Sequence, residues 1–169
     1  FKKPYLSIWD GIVMGGGVGL SIYGNLRIAT ENTKFAMPET AIGFFPDVGA
    51  SYFLSRLKKK IGVFLGLTGQ VVNANEVTRF GLATHYFDSS NLSDVIDHYI
   101  EKGSLPISEN ITVKKNDILY NLDFIENVFN GTIKEIFEKL QNSNSDFAKN
   151  TLKILKKRCP MSMLVTLEL

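Results

Sequence analysis

The chain has 169 residues, 44% of them hydrophobic, and its 19 Lys and Arg against 17 Asp and Glu give a formal net charge of +2. That length supports one domain with a real core, and the near balance of charge supplies no overall field to draw in a nucleic acid or an anionic membrane. The single cysteine, Cys159, excludes an intramolecular disulfide and with it a secreted disulfide scaffold, and no run approaches the roughly 18 apolar residues of a membrane span.

The start, Phe1-Lys2-Lys3-Pro4, has neither a signal-peptide layout nor an initiator methionine, and the apolar run at residues 163–169 stops inside a helical pattern, so a fragment of a longer protein is expected. Residues 5–9 are apolar or β-branched with little polar relief, which predicts a strand buried on both faces. A glycine run follows. Met14-Gly15-Gly16-Gly17-Val18-Gly19-Leu20 leads into Ser21, Ile22 and Tyr23, a succession of strand, glycine loop and helix. Residues 26–29 and 34–37 read as short strands, and residues 38–48, with two acids and two prolines, as an irregular loop.

From Gly49 the pattern turns helical, first at Tyr52, Phe53 and Leu57, then at Ile61, Phe64, Leu65 and Thr68, with Gly69 as a C-terminal stop. Asn73-Ala74-Asn75-Glu76 resembles a capping box ahead of Val77 and Phe80, and residues 84–87 read as a last strand. Leu92, Val95, Ile96, Tyr99 and Ile100 recur at the spacing of an amphipathic helix that ends at Gly103, its stripe expected in the core. Residues 104–116, rich in polar side chains, read as a loop or linker. Thr132-Ile133-Lys134-Glu135 is a second capping box, with Ile136, Phe137 and Leu140 on one face. Ser145 can cap a helix that buries Ala148, Leu152 and Leu155 until Pro160 interrupts it. Lys153, Lys156, Lys157 and Arg158 fall in its last turns, where cations suit the helix dipole, and read as a solvated face. There is no internal repeat. Strands alternate with helices early and helices dominate late, which predicts an α/β layer over residues 1–103 and a helical part over residues 104–169.

Two features could carry chemistry. Three consecutive glycines between a strand and a helix leave peptide N–H groups uncovered at the positive end of a helix dipole. Such a turn suits an anion or an oxyanion, but the pattern alone favours a glycine-rich turn that merely allows tight packing. It is not a P-loop, because no Lys-Ser or Lys-Thr follows, and the G-x-G-x-x-G spacing is not met. The second feature is the pair Glu39 and Asp47, eight residues apart in an apolar loop, with Pro38 fixing the backbone before the first. Burial would disfavour their charged forms, whereas loop acids are commonly solvated. His85, His98 and Cys159 have no partner at metal-ligand or nucleophile spacing and read as structural.

Taken in order, Lys3-Pro4, Asp10-Gly11, the glycine segment at residues 14–20, Phe35-Ala36-Met37-Pro38-Glu39-Thr40 and Gly43-Phe44-Phe45-Pro46-Asp47-Val48-Gly49 resemble the core signature of the crotonase superfamily. Tyr52-Phe53-Leu54, Leu67-Thr68-Gly69 and Gly81-Leu82-Ala83-Thr84-His85 extend the likeness toward its 3-hydroxyisobutyryl-CoA hydrolase family. The stretch from Phe147-Ala148 to Pro160 is similar to that family's helical end, so the resemblance covers nearly the whole chain. It implies a crotonase-like α/β fold of β-β-α layers with a helical C-terminal part, here without its N-terminal strands. It also implies hydrolysis of a short 3-hydroxyacyl-CoA thioester, 3-hydroxyisobutyryl-CoA, to 3-hydroxyisobutyrate and CoA in mitochondrial valine breakdown.

By the same resemblance, Gly16 supplies one N–H of the oxyanion hole, with Gly15 beside it against the substrate. Glu39 matches the glutamate that attacks the thioester carbonyl or activates the water that does so, and Asp47 the acid that contacts the substrate hydroxyl. Coenzyme A belongs to the substrate, so no separate cofactor and no metal is implied. The implied partner is an acyl-CoA, with neither nucleic acid nor membrane, and a homo-oligomer is compatible.

Enoyl-CoA hydratases that use paired glutamates carry one of them two residues after the glycine triplet, where this chain has Gly19. A glycine delivers no proton, which favours the hydrolase over a hydratase or isomerase reaction. A non-catalytic acyl-CoA-binding subunit is a third reading, opposed by the intact Glu39, Asp47 and glycines. The chain departs from the family at Ala50-Ser51, where glycines are usual, and at Cys159, where a serine is usual before the proline. The family's second oxyanion donor and much of its CoA-binding surface lie upstream of the residues that match Phe1. The chain alone is therefore expected to bind CoA esters weakly and turn over poorly.

Overall fold

The structure, a computed structural model, describes residues 2–111 and 118–169. Strands β1 (Leu6–Trp9) and β2 (Ile12–Met14) precede helix α1 (Gly16–Ser21), then strands β3 (Leu26–Ala29) and β4 (Lys34–Ala36). A 3-10 turn at Glu39–Ile42 leads to helices α2 (Ala50–Leu54) and α3 (Ile61–Thr68), strand β5 (Val72–Asn73), helix α4 (Ala74–Arg79), strand β6 (His85–Tyr86) and helix α5 (Leu92–Lys102). Helices α6 (Leu122–Val128), α7 (Ile133–Gln141), α8 (Asp146–Leu155) and α9 (Pro160–Glu168) follow. Residues gather into two compact units made of interleaved segments, where the sequence pattern suggested one boundary after Gly103. The first unit joins the segment ending at Phe35 to the one beginning at Val72, and the second joins Ala36–Val71 to the C-terminal helices.

In the first unit, β1, β3 and β6 form a parallel sheet, with Leu6 opposite Leu26, Trp9 opposite Ala29 and Ile28 opposite His85. β2, β4 and β5 form a second sheet in which Phe35 pairs with Val72 across an antiparallel ladder. Trp9 and Phe35, both buried, stack with ring centroids 5.7 Å apart and tie β1 to β4. Ile28, Phe87 and Val95 form a core cluster onto which Leu6, Leu92 and Leu105 pack. The Asn73 capping box forms as its spacing predicts: the side chain accepts the Asn75 and Glu76 N–H groups, and Glu76 reaches back to the Asn73 N–H at 2.9 Å.

Several expectations are corrected here. β1 is fully buried on one face only, that of Ser7 and Trp9; on the other, Leu6 packs on the core cluster while Ile8 is 39% exposed. Helix α1 begins inside the glycine triplet and ends at Ser21, so Tyr23 falls beyond it. On α5 Val95 alone is buried, and Ile100 at the end of the apolar stripe is 74% exposed. Residues 104–111 hold no helix or strand, and residues 112–116 of the expected loop lie outside the described residues.

In the second unit α3 is the hub. Ile61, Phe64, Leu65 and Leu67 are all buried, so the helix is apolar around most of its circumference and packs on several neighbours. Phe64 meets the edge of Phe129 at 5.2 Å and stacks on Phe147 at 6.0 Å. The Thr132 and Ser145 caps form as expected, and Pro160 opens α9 at its first position after α8 has ended. Residues 38–48, expected to be irregular, contain the 3-10 turn. Arg158 does not join a solvated face, because its Nε donates to the Thr68 carbonyl at 2.7 Å. Lys59 and Lys60 adopt left-handed backbone at φ 58 and φ 56, and Lys59 is held there by Glu126 at 2.6 Å and Asp123 at 3.2 Å.

α2 and α3 approach so closely that a Cβ on Gly62 would lie 1.9 Å from the Leu54 carbonyl oxygen. Gly62→Ala is therefore expected to destabilise the protein by about 2–3 kcal/mol in urea denaturation, through overpacking against backbone that cannot yield. Lys60→Gly, which relieves a left-handed residue, is expected to raise stability by about 0.5–1 kcal/mol in the same measurement.

Candidate active site

The candidate residues fall in both units: Gly15 and Gly16 in the first, Glu39 and Asp47 in the second. Gly15 caps α1 at φ 52 and ψ −125, a conformation closed to side chains, and its carbonyl accepts the N–H groups of Val18 at 3.0 Å and Gly19 at 3.2 Å. The N–H groups of Gly16 and Gly17 therefore precede Val18, the first donor within the helix, and the helix leaves them unpaired. A Cβ added at Gly15, Gly16 or Gly17 would meet no described atom within 4 Å. Close packing among the described residues thus does not account for this triplet.

Glu39 opens the 3-10 turn directly after Pro38, and Gly43, in left-handed conformation at φ 80, closes it by donating to the Glu39 carbonyl. The Phe44 N–H reaches the same carbonyl at 3.0 Å. The Glu39 side chain is buried at 6% exposure, and among the described residues its Oε2 has no hydrogen-bond partner. Burial holds its carboxyl above the ordinary glutamate range, a hydrogen bond from its own backbone N–H opposes this, and the Asp47 charge adds to the rise. Thr40 beside it is fully buried, and its hydroxyl donates to the Leu67 carbonyl at 3.1 Å.

Asp47 is exposed, not enclosed in apolar surroundings. Its carbonyl accepts the Ala50 N–H at 2.8 Å, which starts α2. Between them Val48 sits at φ 49 and Gly49 at φ 79. A β-branched residue in left-handed backbone is strained by about 1–3 kcal/mol, and such strain gathers at functional loops. Nothing in the local spacing signalled it.

The remaining candidates take structural places. The His85 Nδ1 lies 2.9 Å from the Thr84 hydroxyl, its ring stacks on Phe87, and burial lowers its pKa. His98 is exposed on α5. Cys159 is a free, half-buried thiol at the start of α9, its pKa lowered by hydrogen bonds from Ser162, and its peptide N–H donates to the Thr40 carbonyl at 2.9 Å.

Glu39 is thus a buried carboxylate with an oxygen that is bare among the described residues, on a chain that also carries an uncovered glycine turn. The family model described as enoyl-CoA hydratase/isomerase matches residues 1–169. The chain belongs to the enoyl-CoA hydratase/isomerase family. It is 44% identical to a protein of Homo sapiens named 3-hydroxyisobutyryl-CoA hydrolase, mitochondrial, over 98% of this chain and 47% of that one. The fold is similar to an enoyl-CoA hydratase from Rhodobacter sphaeroides at a TM-score of 0.89 and 34% identity, over 99% of this chain and 49% of that one. It is also similar to a carnitinyl-CoA dehydratase from Mycobacterium thermoresistibile at 0.86 and 34%, over 98% and 50%. The chain spans about half the length of each. These likenesses establish the crotonase-like α/β fold with its helical C-terminal part.

The raised Glu39 pKa has a consequence for stability. The fold favours the neutral carboxyl, so the stability this group contributes is present below its unfolded pKa and is lost as pH rises through the folded one. Glu39→Gln removes the buried charge. In thermal unfolding it is expected to raise the Tm at pH 7, and the gain should shrink as pH falls below the ordinary glutamate value of 4.5.

Proposed function

We propose that the protein to which this chain belongs hydrolyses short 3-hydroxyacyl-CoA thioesters, with 3-hydroxyisobutyryl-CoA as its substrate, and acts in mitochondria as its human relative's name states for that protein. The observation that carries the proposal is the buried Glu39 carboxylate, whose Oε2 is unpaired among the described residues. A carboxylate stripped of water is a stronger base than one in solution, and an oxygen with no internal donor is free to take a proton from water or to attack a carbonyl carbon.

In this reading water adds to the thioester carbonyl as Glu39 takes its proton, the C–S bond breaks, and the proton passes to the departing CoA sulfur. A carboxylic acid and a free thiol result. The Gly16 N–H donates to the oxygen that becomes negative in the intermediate, where one well-placed donor contributes about 3–4 kcal/mol. Asp47, exposed eight residues after Glu39, is assigned to the substrate hydroxyl. Gly19 supports hydrolysis over hydration, because a glycine cannot serve as the second proton carrier.

Hydration or dehydration of an acyl-CoA is the second reading, favoured by the names of the two similar solved structures. The complete protein supplied with 3-hydroxyisobutyryl-CoA is expected to release free thiol, measured with a thiol-reactive dye. Glu39→Ala should lower turnover by at least about 100-fold. Undiminished thiol release by that variant would contradict the assignment, and turnover of crotonyl-CoA without thiol release would favour the second reading.

A further inference from the structure

The geometry points to Thr40 as a positioning residue, one that holds the Glu39 carboxylate in place by clamping its turn between the end of α3 and the junction of α8 with α9. The inference rests on the reading of Glu39 as the base of the hydrolysis.

The last carbonyls of an α-helix have no donors within the helix and must be satisfied from outside or lose free energy when buried. α3 ends at Thr68, with Gly69 in left-handed conformation donating its N–H to the Leu65 carbonyl at 2.9 Å. Two further carbonyls are met by donors remote in sequence. Thr40 Oγ1 donates to Leu67 at 3.1 Å, and Arg158 Nε to Thr68 at 2.7 Å. The Thr40 carbonyl in turn accepts the Cys159 N–H at 2.9 Å. Thr40, 0% exposed, therefore spends its hydroxyl on α3 and its carbonyl on the residue after Arg158. The loop is closed: turn to α3, α3 to Arg158, Cys159 back to the turn.

Pro38 is fixed from the same side. A Cβ on Gly69 would lie 2.9 Å from the Pro38 Cα, so only glycine lets the end of α3 come this close to the turn. Glu39 thus stands between two neighbours that are each seated on α3. Among the described residues its Oε2 has no hydrogen bond, and the hydrogen bond that does reach the carboxyl comes from Glu39's own backbone N–H, so the aim of the carboxylate follows the backbone. A hydrogen bond to that oxygen would fix it equally well, but would also lower its basicity. Thr40 fixes the base without touching the atom that reacts.

Thr40→Val keeps the volume and shape of the side chain and removes only its donor. In the complete protein with 3-hydroxyisobutyryl-CoA, Thr40→Val is expected to lower kcat by about 10–100-fold and leave KM within about threefold, as a small misplacement of a base does. The acid limb of its pH–rate profile should move to lower pH, because a loosened carboxylate regains water. Thr40→Ser should restore kcat to within about threefold of the unmodified protein. If Thr40→Val does not fold, Arg158→Met decides instead, with the same direction in kcat and in the acid limb expected. An unchanged kcat and acid limb in the folded variant, alongside an inactive Glu39→Ala, would overturn the positioning role alone. A fully active Glu39→Ala would overturn the reading of Glu39 and this inference with it.

Discussion

A base that works from a buried site faces opposing demands. It must be stripped of water to become more basic, it must keep at least one oxygen free of donors, and it must still point in one direction. In the proposed reading Glu39 meets the first two through its burial and an Oε2 that is unpaired among the described residues, both of which cost stability in the folded protein. The third then falls to the backbone. The chain anchors that backbone through Pro38 and Thr40 against a helix end whose carbonyls need donors in any case.

The second unit can be understood from this requirement. A turn seated on the end of a helix is only as well placed as the helix, and α3 is buried on most sides by apolar side chains from α2, α6, α8 and α9. Its first residue follows a strained left-handed pair, and its close approach to α2 admits no side chain at Gly62. Buried contacts are concentrated where Glu39 is attached, whereas Asp47 lies on an exposed loop with its own left-handed residue at Val48. In the proposed reading, the group that takes a proton gains from a fixed position, and the group assigned to the substrate hydroxyl gains from access to solvent.

Much of this was legible in the sequence wherever the physical partner lies within a helical turn. The Asn73, Thr132 and Ser145 caps, the glycine stops at Gly69 and Gly103 and the break at Pro160 are local interactions, and they sit where the spacing put them. The pieces that escaped are made by distant partners. β2 and β5 are too short to show a period and exist through cross-strand pairing, and Arg158 meets its acceptor 90 residues away, so a cation read as solvated is half-buried. Ile8 and Ile100 fit an apolar pattern yet remain exposed, since periodicity reports which face could be buried and not whether anything covers it. For the site, ordered motifs singled out Glu39 and the glycines. The bare Oε2, the clamp at Thr40 and the exposure of Asp47 follow from packing that no local spacing encodes.

The protonation of Glu39 itself is the quantity on which the proposed chemistry turns, and carbon-13 NMR of side-chain-labelled glutamate can follow it through a pH titration, with the Glu39→Gln spectrum assigning the resonance. A buried, donor-poor carboxyl beside a second acid should titrate with a midpoint above the ordinary glutamate value of 4.5. A midpoint at or below that value would show a solvated or hydrogen-bonded carboxylate, and would contradict the account of Glu39 as a desolvated base.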